Sequence, residues 1–167
     1  MESSGSNELL DYNLDDQVGF ILRQASQRHG AIFAARFGAV TATQWAALAK
    51  LAKTGPTSQN HLGRLTAMDV ATINGVVDRL AKKGLVSSRN DPRDARRLLL
   101  ALTAEGEAYV AEMLAAGFEV TRETLAPLTA GEAETLVELL RKLAGSARGD
   151  FLLRLRVAPA GITLVHE

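Results

Sequence analysis

The chain contains no cysteine, which excludes disulfides, thiolate metal sites and cysteine-based redox sensing. No run of about 18 apolar residues occurs, so no membrane-spanning helix is expected. The polar start Met1-Glu2-Ser3-Ser4-Gly5-Ser6-Asn7 lacks the charged and apolar regions of a signal peptide, and a cytoplasmic protein is expected. Histidine is scarce. His29, His61 and His166 stand in separate segments without metal-ligand spacing, there is no nucleophile motif, and no glycine-rich phosphate loop follows a strand. No catalytic residue, metal ligand or cofactor is therefore assigned, and a small-molecule enzyme is only a remote alternative. What is present is apolar bulk: 47% of 167 residues, enough for one globular domain with a core that needs no staples.

Net charge is also absent, since 19 Lys and Arg balance 19 Asp and Glu, but the charge is unevenly placed. Between Ser58 and Arg97 stand eight cations (Arg64, Arg79, Lys82, Lys83, Arg89, Arg93, Arg96, Arg97) and four anions (Asp69, Asp78, Asp91, Asp94). This +4 stretch is the footprint of phosphate contacts in a protein that is not basic overall; an ordinary solvated surface is the alternative.

The same stretch carries a legible pattern. From Asp69, residues Ile73, Val76, Val77 and Leu80 recur at helical spacing, so one face of a helix turns inward. Asp69 is placed to cap it and Gly84, after Lys82 and Lys83, to end it. The opposite face presents Ala71, Gly75, Asp78 and Lys82, flanked by Thr72, Arg79 and Asn74. Small and hydrogen-bonding groups lie at its start and cations towards its end, which suits a helix whose nose meets base edges and whose tail meets phosphates. Asn pairs with adenine through two hydrogen bonds, and glycine permits close approach to a groove. Next come two strand-like runs, Leu85–Arg89 and Arg97–Leu102, around the charged loop Asn90–Arg96. Asp91-Pro92 presets a turn, and Asp91 or Asp94 is expected to pair with Arg96 or Arg97 and hold Arg93 outward. An arginine on such a tip suits the minor groove.

These residues resemble the MarR (multiple antibiotic resistance regulator) family of winged helix-turn-helix transcription factors. The likeness is carried by Thr72–Leu80, Gly84-Leu85-Val86, Asp91–Arg96 and Leu102–Gly106, in that order, and extends from about Leu14 to Ala144. Gly75 stands where many members have a larger polar or basic residue, and Thr66 where the turn often has glycine. The resemblance implies a mainly α fold with a small β-hairpin wing, framed by N- and C-terminal dimerisation helices. It implies a homodimer on double-stranded DNA at an inverted-repeat operator, and DNA contacts from Ala71, Thr72, Asn74, Gly75, Arg79, Lys82, Arg93 and Arg96. A repressor released by a small aromatic or anionic effector is expected. Arg23, His29, Trp45 and Tyr109 are the candidate ligand-binding residues. A lone histidine on an apolar helix stripe is more commonly a satisfied core residue. A winged-helix module that binds protein partners without an inducer is the alternative.

In chain order, residues 1–13 are expected to form a flexible arm, 14–40 the first dimerisation helix, 41–103 the DNA-binding module and 104–167 the C-terminal dimerisation helices and tail. The first helix, Leu14 to Phe37, should turn Val18, Leu22, Ala25, His29 and Phe33 inward and stop at Gly38. Thr41 and Gln44 form a capping box, Trp45, Leu48 and Leu51 face inward, and Gly55-Pro56 breaks the helix. Thr57 is expected to cap a short helix from Ser58 to Leu65, and Thr103 a long one from Ala104 to Thr124. Thr129 and Glu132 form a second capping box ahead of Leu136, Val137, Leu139, Leu140 and Leu143, a stripe expected to be buried on more than one side. Phe151–Val157 is ambiguous between helix and strand. Two long apolar helices at the chain ends call for a second copy to cover them.

Overall fold

The computed structural model describes residues 12–145. The expected arm is therefore covered only at Tyr12 and Asn13, and Phe151–Val157 lies outside the described residues. Leu14–Asp16 is a single 3-10 turn capped by Asn13, and the first α-helix begins only at Val18, later than expected. The elements are α1 (Val18–Phe37), α2 (Ala42–Thr54), α3 (Gln59–Leu65), α4 (Val70–Lys82), the strands β1 (Val86–Asp91) and β2 (Asp94–Leu102), α5 (Ala104–Leu125) and α6 (Ala130–Leu143). They fall into two compact units, one running through Thr124 and the other from Leu125.

The helix boundaries follow from local hydrogen bonding. Gly38 closes α1 with a left-handed φ of +48°. The Thr41–Gln44 box opens α2: the Thr41 amide donates to Gln44 Oε1 at 3.1 Å, and Thr41 Oγ1 accepts from the Gln44 amide at 3.3 Å. Gln44 is buried with its oxygen satisfied in this way. Ser58, not Thr57, caps α3, accepting from the His61 amide. Both residue types cap, and Thr57 is engaged elsewhere: its amide donates to Leu100 O at 3.0 Å, and its carbonyl accepts from the Leu100 amide at 2.8 Å.

Leu48, Leu62, Ile73, Val76 and Leu80 are the largest fully buried side chains, where α2, α3 and α4 meet. Removing each from water contributes about 1.5 to 3 kcal/mol. Phe33 stacks on Phe37 with ring centroids 4.1 Å apart, and Phe37 meets Trp45 at 4.8 Å, which fixes the end of α1 against α2. Only the later part of the expected α1 stripe is inward, because Val18, Leu22 and Ala25 are exposed. The C-terminal half of α1 is also tied to α5. Arg28 donates to the carbonyls of Thr124 and Glu123, and Arg36 donates twice to Glu123 Oε2, at 3.0 and 2.7 Å.

The hairpin is longer than expected and its loop shorter. β1 and β2 pair antiparallel from Val86↔Leu102 to Asn90↔Leu98, with an irregularity before Asp91↔Asp94, so the turn is only Pro92-Arg93. The aspartates do not engage the arginine side chains as expected. Asp91 Oδ1 accepts from the Arg93 amide at 2.9 Å and Asp94 Oδ1 from the Arg96 amide at 3.0 Å, because a short carboxylate reaches its own turn more easily than a solvated guanidinium.

Thr103 joins the hairpin to α5 and to the end of α4. Its amide donates to Leu85 O (3.1 Å), and its hydroxyl donates to Gly84 O (2.6 Å) while accepting from the Gly106 amide (3.0 Å). In the second unit, Thr129 and Glu132 form the expected capping box of α6. In the single chain the α6 stripe lies open, as a stripe that needs a partner to cover it would: Leu136, Leu139, Leu140 and Leu143 are exposed and Val137 is half-buried.

Candidate nucleic-acid interface

Helix α4 is set by its first turn. Asp69 accepts from the Thr72 amide at 2.7 Å, and this bond is the main reason its carboxyl is held below the usual value of 3.8. The chain reaches Asp69 through a turn in which Ala67, not Thr66, takes the left-handed conformation (φ +53°). Thr66 instead stays near φ −107° and donates its hydroxyl to Leu62 O at 2.7 Å. Gly63 lets α3 pass close to α4, since a β-carbon there would lie 3.2 Å from Met68 O and 3.4 Å from Ile73 Cγ2. Gly84, at φ +72°, ends the helix after Lys82 and Lys83.

The predicted faces are the observed ones. Ile73, Val76, Val77 and Leu80 are buried, whereas Ala71, Thr72, Asn74, Asp78, Arg79 and Lys82 are exposed. Gly75 is half-buried because the Arg79 guanidinium folds over it: a β-carbon on Gly75 would stand 3.3 and 3.4 Å from the two terminal nitrogens. Asn74 is engaged in a way not anticipated, its side-chain oxygen accepting from Gln59 Nε2 of α3. A two-bond adenine contact by Asn74 therefore shares or displaces Gln59. Arg93 is exposed on the two-residue turn and Arg96 is exposed on β2. The loop has not folded back over the protein.

The four candidate ligand residues do not line a common cavity of those described here. Arg23 is exposed on α1. His29 is half-buried, with Nδ1 2.9 Å from Thr124 Oγ1, whose own proton goes to Val120 O at 2.7 Å. Nδ1 must then carry the proton, and a neutral ring keeps its acceptor lone pair on Nε2. Trp45 packs on Phe37 and over Gly117. The Tyr109 hydroxyl is buried without a hydrogen-bond partner among the described residues, and burial pushes its pKa above 10.0, aided by Glu112.

One cavity lies against the end of α4 and another lies between α3 and the hairpin. The first, of about 550 Å³, lies between the α1–α2 corner and the end of α4, where Arg79 and Lys83 meet Phe33, Val40 and Gln44. The other, of about 490 Å³, separates α3 from the hairpin; it brings together His61, Arg64, Arg93 and Arg97, a grouping the sequence did not announce. Among the described residues no group of three His, Asp or Glu side chains is placed to hold a metal ion, and no helix is long and apolar enough to cross a membrane.

The profile of the MarR family matches residues 40–98, from the loop before α2 into β2. The HTH-type transcriptional repressor NicR of Pseudomonas putida is 37% identical over 146 residues, covering 86% of this chain and 92% of its own length. A crystal structure of a probable transcriptional regulator from Pseudomonas aeruginosa is 57% identical, with a TM-score of 0.75, covering 78% of this chain and 99% of that one. The structure of Bordetella bronchiseptica BpsR, described for regulation of its DNA binding by 6-hydroxynicotinic acid, is 37% identical, with a TM-score of 0.76, covering 81% and 99%.

Proposed function

The chain belongs to the MarR family of transcription regulators, and from that premise we propose that it is a dimeric, cytoplasmic repressor whose hold on operator DNA is loosened by a small aromatic acid. The observation that carries the proposal is the pairing of α4's exposed polar face with an arginine-tipped hairpin, joined through Gly84 and Thr103 into one module. Thr72, Asn74 and Gly75 meet base edges in the major groove, Arg79 and Lys82 meet phosphates, and Arg93 enters the minor groove with Arg96 behind it. Two copies present two such helices roughly 34 to 36 Å apart, and the site is an inverted repeat. The exposed apolar residues of α1 (Val18, Ile21, Leu22), α5 (Leu114, Phe118) and α6 (Leu139, Leu143) support a partner copy.

The effector reading rests on BpsR, whose DNA binding is regulated by 6-hydroxynicotinic acid, and not on Arg23, His29, Trp45 and Tyr109, which line no common cavity of those described here. A ligand held against the scaffold helices acts by its differential affinity for two spacings of the recognition helices. The reading assigns the chain no catalysis.

Gel shifts of genomic fragments, repeated with 6-hydroxynicotinic acid, other aromatic acids and their thioesters, test the proposal. A specific shift that one of these acids relieves is the expected result. Absence of any shift at micromolar protein overturns it.

A further inference from the structure

The cavity between α3 and the hairpin is used by none of the contacts assigned above except that of Arg93. Its chemistry is lopsided. Arg64, Arg93 and Arg97 contribute three permanent positive charges against the single carboxylate of Asp91, a net of +2. One oxygen of that carboxylate already accepts the Arg93 amide. Arg64 and His61, three residues apart on α3, touch: a guanidinium nitrogen lies 3.3 Å from His61 Nδ1. A guanidinium can only donate, so Nδ1 accepts and the neutral imidazole carries its proton on Nε2, as one more donor. Among the described residues the guanidinium groups of Arg93 and Arg97 have no hydrogen-bond or ion-pair partner.

The walls are fixed relative to each other. The paired backbone bonds between Thr57 and Leu100 stitch the loop before α3 to β2, three residues beyond Arg97. Converging donors on a braced frame, with almost no countercharge, are complementary to a compact anion that offers several acceptors, and the planar fork of arginine matches phosphate. At about 490 Å³ the space holds a phosphate together with its sugar.

We propose that this gap is a phosphate-binding site, occupied in the DNA complex by a backbone phosphate gripped between α3 and the hairpin. The source of the phosphate rests on the DNA-binding reading above; the site itself does not, because a free phosphate-bearing molecule meets the same donors. His61, Arg64 and Arg97 thereby join the interface.

Two measurements on the full chain test this, with Arg64→Gln and Arg97→Gln as variants and equal melting temperatures showing that they fold. In the first, inorganic phosphate is titrated in the absence of DNA, at an ionic strength held constant with chloride, and the His61 ring signals are followed by NMR. A saturable shift in the wild type that either variant abolishes is expected. In the second, the salt dependence of binding to a shifted DNA fragment is compared. Each variant should lower the slope of log K against log salt by about 0.9, the value for one phosphate. Each should also weaken operator and unrelated DNA by the same factor, whereas Arg122→Gln on α5 changes neither. A lowered slope identifies the DNA backbone as the source, and a saturable shift with an unchanged slope assigns the site to a free phosphate-bearing molecule. No saturable shift together with an unchanged slope overturns the proposal while leaving the DNA-binding reading intact. A wild type that saturates with phosphate but binds no DNA overturns that reading and retains the site.

Discussion

The carbonyl oxygen of Leu85 stands 2.1 Å from the point that a β-carbon on Gly106 would occupy, so the first turn of α5 crosses the start of the hairpin backbone to backbone. The same oxygen accepts the Thr103 amide and cannot swing aside without losing that bond. Gly106→Ala should therefore destabilise the fold by about 1 to 3 kcal/mol or somewhat more, since backbone cannot change rotamer to relieve the overlap. Urea denaturation should show a lower midpoint at an unchanged slope. An unaltered midpoint would mean that α5 does not cross Leu85 this closely.

Gly75 behaves differently, because what lies over it is the flexible end of Arg79. Gly75→Ala should raise thermal stability by about 0.5 to 1 kcal/mol through helix propensity. It should also push the guanidinium aside and weaken DNA binding. Melting and fluorescence anisotropy on the same variant should move in opposite directions; a gain in both refutes a role for this close packing in DNA recognition.

Arg93 sits at the outermost turn of the hairpin, its amide tied back to Asp91 and its side chain without a partner among the described residues. Arg93→Ala should cost about 1 to 3 kcal/mol of operator affinity if the side chain reads the minor groove. The comparison requires matched salt. Unchanged affinity rejects the assignment.

Acid should loosen α4 from its N-terminus. The Asp69 carboxyl lies below its ordinary 3.8 because the ionised form accepts the Thr72 amide, so this group stabilises the fold above the unfolded value and ceases to do so as pH falls through the lowered folded one. Glu132 is shifted the same way at the start of α6 by the Thr129 amide. Asp69→Asn keeps a cap that does not titrate. Its amide protection over Val70–Ile73, measured by hydrogen exchange, should vary less with pH below 3.8 than that of the wild type.

Charges placed on the uncovered apolar residues should separate protomers. Leu22→Glu on α1 or Leu139→Glu on α6 exchanges an exposed leucine for a carboxylate, and Leu139, 58% exposed against 40% for Leu22, loses less packing within one copy. Sedimentation should report a smaller species than the wild type at the same concentration. A monomeric wild type contradicts the proposed assembly.

What the sequence disclosed was governed by short-range physics. The caps at Thr41, Asp69 and Thr129 each need only three or four residues to form, and all three stand where expected. Helix α4 is legible because Ile73, Val76, Val77 and Leu80 share one periodicity and one buried face. Thr57 leaves the cap to Ser58 because its backbone pairs with the distant Leu100, a partner no local pattern announces. The hairpin is longer than its composition suggests because Asn90, Asp91 and Asp94, poor strand formers, are overridden by a tight turn. The grip of Gln59 on Asn74 spans 15 residues, and the cavity that His61 and Arg97 both line is closed across α4 and β1 of the intervening sequence. No local pattern encodes either. Arg23, His29, Trp45 and Tyr109 share a chemistry that suits an aromatic acid, but chemical type alone does not make them converge.

The leucines left bare on α1 and α6 carry a further implication for how much working regulator a cell contains. Apolar area covered only by a second copy stabilises the assembled form and not the lone chain, so folding and assembly become linked through mass action. Thermal midpoints should climb as the sample is concentrated. For the dimer proposed above, a growing share of molecules at low abundance would be dissociated, less resistant to proteolysis and unable to span two half-sites, which would make the level of expression part of the control.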